Sequence, residues 1–152
     1  MIIRWLFAFL HLLSLGMGLG AIWARSRALR GPLDSAGLSR VFTADNWWGA
    51  AAALWIATGV VRLFSPLEKG SSYYFHNTFF MVKMTAFALI LGLELRPMIA
   101  FIRWRITVRS GKTPDTSLAG TFAGTSAVQA VLVVVMVAMA TAMARGLGAR
   151  AD

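Results

Sequence analysis

A histidine and a lysine stand inside apolar stretches of this sequence, where polar side chains are costly. His11 lies in the first stretch and Lys83 in the third. A lysine in the middle of a membrane helix costs about 2.5–3.5 kcal/mol on insertion scales, so it normally faces a partner or a cavity. Neutral imidazole is a common axial ligand of haem iron. His11 is therefore a candidate metal ligand, and Lys83 is a candidate partner for an anionic group.

Two arginines can join the same layer. Arg4 lies seven residues before His11, on the same side of a helix, and Arg62 ends the second apolar stretch. The nearest acid, Glu68, falls in the following loop. Cations without compensation are costly unless an anionic group occupies the site, and tetrapyrrole propionates or lipid phosphates would serve. The predicted cofactor is haem b or a porphyrin, and the predicted cofactor-binding residues are His11, Lys83, Arg62 and Arg4.

A purely structural interpretation of these residues stays open. Lys83 can extend its side chain to the outer headgroups, and His11 can form a hydrogen bond with a neighbouring helix. The sequence contains no Gly-rich phosphate loop and no convincing set of catalytic side chains, so the catalytic residues stay unknown. His76, in a loop beside Asn77, favours capping or solvent exposure over metal binding.

These residues require a membrane bundle to position them. The chain has 152 residues, of which 58% are hydrophobic and 14% charged, whereas a soluble domain has roughly 25% charged residues. This composition excludes a water-soluble globular domain and a disordered chain. Apolar stretches long enough to cross a core of about 30 Å cover residues 5–24, 47–64, 79–98 and 118–144. We predict an all-α integral membrane protein, an antiparallel four-helix bundle forming a single membrane domain over residues 1–152.

The connection between the first two spans has a distinct pattern. Residues 34–43 predict a short amphipathic helix that lies in the membrane interface. Asp45 or Asn46 is then expected to cap the second span, and Trp47 and Trp48 are expected to anchor it at the interface.

The third and fourth spans contain further polar residues. Asn77 or Thr78 can cap the third helix, which is expected to continue past Pro97 towards Trp104. Gln129 predicts a hydrogen bond between helices. Glu94 predicts a structural ion pair rather than a proton relay, with one of three candidate partners: Arg25, Arg96 or Arg103.

The net charge of +9 follows from 15 Lys and Arg against 6 Asp and Glu. The basic residues form no continuous face, which argues against nucleic acid and favours topology and anionic lipid headgroups. Nine of them lie in the connections after the first and third spans and five on the other side. Cytoplasmic loops of membrane proteins are enriched in Lys and Arg, so these two connections are predicted in the cytoplasm and both termini outside it. The chain has no cysteine, which removes disulfides and thiolate metal sites.

Four segments carry a family resemblance. They are LHLLSLGMGLGAIWARSRALRGPLDSAGL at 10–38, RVFTADNWWG at 40–49, LEKGSSYYFHNTFFMVKM at 67–84 and LELRPMIAFIRWR at 93–105. On these the chain resembles the bacterial membrane-protein family known as domain-of-unknown-function family 2214. This resemblance covers nearly the whole chain and implies a multi-pass protein of the bacterial inner membrane. The family name carries no biochemical function.

A more distant similarity is to the CopD-like membrane proteins, which include the HemJ-type protoporphyrinogen oxidases. HemJ-type proteins combine a histidine in the first helix with a lysine in the third, and here these match His11 in FLHLL and Lys83 in FMVKM. The resemblance implies a four-helix bundle that binds haem and, if the protein is an enzyme, a porphyrinogen-type oxidoreductase. The rest of the HemJ pattern is missing. A CopD resemblance would also imply copper uptake, but the sequence has no cluster of His, Cys or paired Met side chains that could bind copper.

Two functions therefore stand side by side. The first is an inner-membrane protein that binds a b-type haem or porphyrin on the outer side of the bundle. The second is a non-enzymatic membrane subunit, lipid-binding protein or transport accessory with structural polar residues. A protein of either kind could form a homo-oligomer or join a larger complex. Gly16-x-x-x-Gly20 and Gly120-x-x-x-Gly124 permit close helix contact and favour packing within the bundle over dimerisation.

Overall fold

Residues 2–64 and 76–147 are described by the structure, a computed structural model, and they form four long helices. The helices are α1 (Ile2–Ala28), α2 (Ser35–Phe64), α3 (Thr78–Arg109) and α4 (Ala119–Ala144). Each helix is long and apolar enough to cross a membrane. The all-α fold with four spans is therefore confirmed. The first three helices extend beyond the predicted apolar stretches, and the fourth matches its stretch to within one residue.

The helices pack side by side in alternating directions. Helix α1 lies against α2 and α4, and α3 lies against α4. Along the first pair, His11 contacts Thr58 and Arg25 contacts Asp45, so residue numbers rise in α1 as they fall in α2. This register places the α1–α2 and α3–α4 connections at one end of the bundle. We call this end the connection end and the opposite end the terminal end.

The predicted amphipathic helix is not a separate element. Residues 34–43 are helical from Ser35, but they continue into the second span without a break. Asp34 begins the helix, since its carboxylate accepts a hydrogen bond of 2.7 Å from the Gly37 backbone N–H. The prediction that Asp45 or Asn46 caps the second span is therefore wrong. Both lie inside α2, and their side chains bind arginines of other helices.

Asn77, one of the two predicted candidates, is the N-cap residue of α3. Its side-chain oxygen accepts from the backbone N–H groups of Phe79 at 3.0 Å and Phe80 at 3.3 Å, which would otherwise lack helical partners. Its amide nitrogen donates to the Leu147 carbonyl at 3.1 Å. One buried side chain thus caps α3 and ties it to the end of α4.

Helix α3 runs through Pro97, as predicted, and ends twelve residues later at Arg109. Pro97 lacks the backbone N–H of the helical ladder, but it is buried, and the residues around it pack against α4. The rings of Phe101 and Trp104 lie tilted against each other with centroids 5.3 Å apart, and both contact Phe122 of α4. Packing of this aromatic group holds the helix together past the proline.

Two apolar clusters fill the bundle, one above the other. The middle cluster contains Ala21, Ile22, Trp48, Ala86, Ile90, Ala130, Val133 and Met136. The cluster at the connection end contains Leu29, Leu38, Val41, Phe101, Trp104, Ala119, Phe122 and Ala123. Arg25 lies between them in sequence on α1, so a charged residue separates two apolar layers.

Gly37 offers a test of how the chain enters α2. A Cβ at this position would overlap the Pro32 carbonyl oxygen, so the turn before the helix would have to move. We expect Gly37→Ala to lower the free energy of unfolding by about 1–3 kcal/mol, as overpacking does elsewhere. Gly49 of the same helix has open space where its Cβ would lie. Gly49→Ala is therefore expected to leave stability unchanged or raise it. Detergent denaturation of both variants measures the difference, and equal losses would contradict the close contact at Gly37.

Candidate functional site

The His11 imidazole is bound inside the bundle at the terminal end. Its Nδ1 lies 2.9 Å from the hydroxyl oxygen of Thr58 on α2. Thr58 is buried, and its hydroxyl lies 2.7 Å from the Leu54 carbonyl oxygen and 3.1 Å from that of Trp55. His11 and Thr58 therefore join α1 to α2 through a side-chain hydrogen bond.

The partners of Thr58 determine the histidine tautomer. The hydroxyl oxygen of Thr58 lies only 2.7 Å from the Leu54 carbonyl oxygen, and two oxygens this close repel unless a hydrogen lies between them. Because a carbonyl only accepts, this contact favours the hydroxyl hydrogen pointing to Leu54 rather than to His11 Nδ1. The hydroxyl must then accept from His11, whose Nδ1 carries a proton. In the neutral imidazole the other nitrogen, Nε2, carries the lone pair. Histidines that bind metals are oriented in this way, by a hydrogen bond from the nitrogen that does not bind.

Aromatic side chains enclose this histidine. The Trp55 ring stacks on the imidazole with centroids 5.2 Å apart, and Phe87 of α3 packs on Trp55 at 4.9 Å. Gly59 allows the close approach, because a Cβ there would lie 3.2 Å from the imidazole Cε1. The Trp55 Nε1–H is buried and has no acceptor within residues 2–64 and 76–147. A buried donor without a partner costs about 1–3 kcal/mol, which an incoming acceptor would recover.

The other three predicted site residues, Lys83, Arg62 and Arg4, differ in burial and in their distance from His11 along the bundle. Lys83 and Arg62 are partly buried, and both carry charges close enough to act electrostatically on His11. The Lys83 ammonium lies 5.6 Å from the centre of the Phe80 ring, one helical turn towards the terminal end. Arg4 is exposed. Glu68 lies outside the described residues.

A second polar centre, whose members were not predicted to lie together, is found nearer the connection end of α1. Arg25 is fully buried, and its guanidinium binds the Glu94 carboxylate through two hydrogen bonds of 2.7 Å each. This confirms the predicted ion pair of Glu94 and selects Arg25 among its three candidate partners. A bidentate contact between planar groups is the strongest form of such a pair.

The remaining donors of Arg25 are also used. Its Nη1 donates to Asp45 at 2.9 Å, its Nε to Ser126 at 3.1 Å and its Nη2 to Gln129 at 3.0 Å. Gln129 in turn donates to Glu94 at 2.8 Å, which confirms the predicted hydrogen bond between helices. All four helices thus meet at one guanidinium, and we call this group the Arg25 network.

Asp45 extends the Arg25 network to the rim of the bundle. Its second oxygen accepts from Arg105 at 2.7 Å, and Arg105 also donates to Asn46 at 2.8 Å. Two arginines therefore face two carboxylates, so the network carries no net charge. Such neutrality is what a buried group of ions requires, because an unpaired buried charge is strongly destabilising.

The tryptophans at the start of the predicted second span have different roles. Trp47 is 55% exposed, as expected of an interfacial anchor, but Trp48 is only 7% exposed. The Arg25 guanidinium lies 5.9 Å from the centre of the Trp48 ring and 5.4 Å from that of Phe101. The prediction that Trp48 anchors the interface is therefore wrong, since its ring covers a buried cation.

The glycine pairs do not form contacts between the described helices. Cβ atoms at Gly16, Gly20, Gly120 and Gly124 would each meet open space. The close approach of α1 and α2 occurs instead at Gly18, whose Cβ would lie 3.5 Å from the Trp48 ring. Both Gly-x-x-x-Gly stripes thus lie on the outside of the bundle, and the prediction that they support packing within the bundle is wrong.

A family model described as "Predicted membrane protein (DUF2214)" covers residues 3–148. The chain belongs to this family. Neither a curated protein nor a solved structure matches the chain. The DUF2214 assignment agrees with the four apolar helices and confirms a membrane protein.

For this DUF2214 protein, the two polar centres have different chemical capacities. The Arg25 network is neutral, and its arginine and carboxylates bind one another, so it suits a structural role. The His11 layer offers an oriented imidazole lone pair, an unpaired indole N–H and nearby cations. It is therefore the better candidate for binding a ligand.

Proposed function

We propose that this protein binds a b-type haem or a porphyrin at the layer formed by His11 and Lys83. The observation that carries the proposal is the hydrogen bond between His11 Nδ1 and Thr58. It leaves Nε2 of the neutral imidazole with a lone pair that can bind iron. Helical bundles commonly hold such cofactors between side chains of facing helices.

The number of ligands favours a tetrapyrrole over a bare metal ion. In residues 2–64 and 76–147, no group of three or more His, Asp or Glu side chains could hold an ion. A porphyrin supplies the equatorial nitrogens itself, so one histidine can complete the attachment from the protein side. His11 alone is then sufficient.

The surrounding residues fit the periphery of a tetrapyrrole. Lys83 and Arg62 supply positive charge near His11, which would balance propionates. The buried Trp55 N–H is a donor that an acceptor on the ligand would satisfy. The exposed Arg4, towards the terminal end of α1, would contribute charge at the mouth of the site. When bound, the haem would supply redox chemistry, and the chain's own residues would hold and orient it.

The proposed location is the bacterial inner membrane, with both termini outside the cytoplasm. The buried Arg25 is neutralised by Glu94 and Asp45, so it gives little information about topology. Without Arg25 and Arg105, which the two carboxylates neutralise together, the connection end still carries seven Lys and Arg against five on the other side. The positive-inside rule then places the connection end in the cytoplasm and the His11 layer towards the outside.

The test uses the two histidines of the chain as a matched pair. Protein purified from haem-replete cells is expected to show a Soret band, and His11→Ala is expected to remove most of it because the iron ligand is lost. His76→Ala removes an exposed histidine outside the bundle and is expected to keep the band. A colourless wild-type protein that also fails to bind added haem would overturn the proposal, as would equal loss in both variants.

A second candidate function is a non-enzymatic subunit of a larger membrane complex. It is favoured by the glycine stripes Gly16/Gly20 and Gly120/Gly124, which face outwards with open space around them and could receive a helix of another protein. This function predicts that a larger complex copurifies with the chain. It also predicts that His11→Ala changes stability without changing any bound chromophore.

A further inference from the structure

A groove of about 880 Å³ lies between α1 and the first part of α2, at the connection end. Small side chains create it, since Gly20, Ala21 and Ala24 of α1 face Ala44 of α2 across the space. The volume is within the range of about 300–1,000 Å³ that is usual for ligand sites. This α1–α2 groove is separate from both the His11 layer and the Arg25 network.

Two exposed arginines lie at one end of the groove. Arg27 of α1 and Arg40 of α2 both line it. Within the described ranges, neither guanidinium has a carboxylate partner, in contrast to Arg25 and Arg105. No Asp or Glu lines the groove. The polar end therefore carries positive charge without protein compensation.

The groove changes from basic to apolar along its length. On α1 the lining runs from Arg27 to Met17, and on α2 it runs from Arg40 to Trp47. The two helices are antiparallel, so both arginines lie at the connection end and Met17 and Trp47 lie deeper. Ten residues of α1 correspond to about 15 Å at the helical rise. A basic mouth above an apolar channel of this length matches the headgroup and the upper acyl chain of a lipid.

We propose that the α1–α2 groove binds one anionic phospholipid. Its phosphate would lie between Arg27 and Arg40, and the hydroxyls of Ser39 and Thr43, which also line the groove, can donate to it. One acyl chain would lie along Gly20 and Ala24. Both walls belong to membrane-spanning helices, so phospholipid is present at this surface whenever the protein is in its membrane. The charge selects the anionic species.

Native mass spectrometry of the full chain in detergent, titrated with phosphatidylglycerol and in parallel with phosphatidylcholine, tests this proposal. We expect one molecule of phosphatidylglycerol to bind more tightly than phosphatidylcholine. Arg27→Gln combined with Arg40→Gln removes both charges and is expected to weaken phosphatidylglycerol binding by roughly tenfold or more. Phosphatidylcholine carries the same phosphate but is zwitterionic, so its binding is expected to weaken less.

Two further variants make the outcome specific to the groove. Gly20→Leu fills the apolar part and is expected to weaken binding of both lipids. Arg103→Gln combined with Arg109→Gln removes two exposed arginines at the same end but outside the groove, and it is expected to change nothing. Wild-type protein without preference for phosphatidylglycerol would overturn the proposal. So would equal losses in the two arginine pairs, or a Gly20→Leu variant that keeps its full affinity.

Discussion

Arg25→Met is expected to lower the free energy of unfolding by about 3–5 kcal/mol, the usual cost of removing one partner from a buried ion pair. The guanidinium is fully buried and is bound by Glu94 and Asp45. Methionine has a flexible side chain of similar volume, so only a small part of the loss arises from a cavity. The loss arises because a carboxylate remains in the bundle without its cation. Partial unfolding of the connection end is the expected visible result.

The neighbouring Arg27 supplies the matched control for this prediction. It lies two residues further along α1, is exposed, and has no ion pair with another described residue. Arg27→Met removes the same charge and adds the same side chain, yet it is expected to change stability by less than about 0.5 kcal/mol. Detergent denaturation followed by circular dichroism measures both variants. Similar losses in the two would show that Arg25 is not the residue that joins the helices.

Glu94→Met is expected to have an effect of similar size, about 3 kcal/mol, because Arg25 then keeps only one carboxylate. Gln129 also loses the oxygen to which it donates at 2.8 Å. The double variant Arg25→Met with Glu94→Met is expected to be more stable than the sum of the two losses predicts, since neither charge is left unpaired. Asp45 would retain Arg105.

A double-mutant cycle measures this coupling directly. The cycle of Arg25 with Glu94 is expected to give an interaction energy of about 1–3 kcal/mol. The cycle of Arg27 with Glu94 serves as control and is expected to give a value near zero. Additive effects in the first cycle would contradict the bidentate contact between these two side chains.

Much of the fold follows from local features of the sequence. The four spans are set by apolar length, and Asn77 caps α3 because its side chain reaches N–H groups two and three residues away. The error at Asp45 and Asn46 has the opposite cause. Both residues are typical of helix starts, but their partners Arg25 and Arg105 lie 20 and 59 or more residues away. Only packing brings these partners together, so a helix continues where the local pattern predicts a boundary.

In the candidate sites, too, some residues could be predicted from local sequence and others depend on how the helices pack. His11 and Lys83 could be singled out because polar residues inside apolar stretches are rare. Thr58 and Trp55 could not be assigned to them, since the rotation of α2 about its axis decides which residues face α1. One signal for Arg25 was present: His11, Gly18 and Arg25 follow one another at intervals of seven residues. Such spacing keeps residues on one face of a helix. Extending the stripe by one step would have placed Arg25 inside the bundle.

The basic residues discussed above therefore form three groups with different environments. Arg25 and Arg105 neutralise buried carboxylates. Arg27 and Arg40 lie exposed at the α1–α2 groove. Lys83 and Arg62 lie near His11. The first group is neutral, whereas Arg27 and Arg40 have no carboxylate partner among the described residues, and this difference supports the proposal of lipid binding at the α1–α2 groove.

Titration of the purified wild-type protein and of His11→Ala with haem, followed at the Soret maximum, tests the central claim most directly. The wild-type protein is expected to give a saturable shift with one haem per chain, and His11→Ala is expected to lose this shift while keeping its helical circular dichroism. A wild-type titration without saturation, or an identical titration of folded His11→Ala, would contradict the assignment of the His11 layer as a tetrapyrrole site.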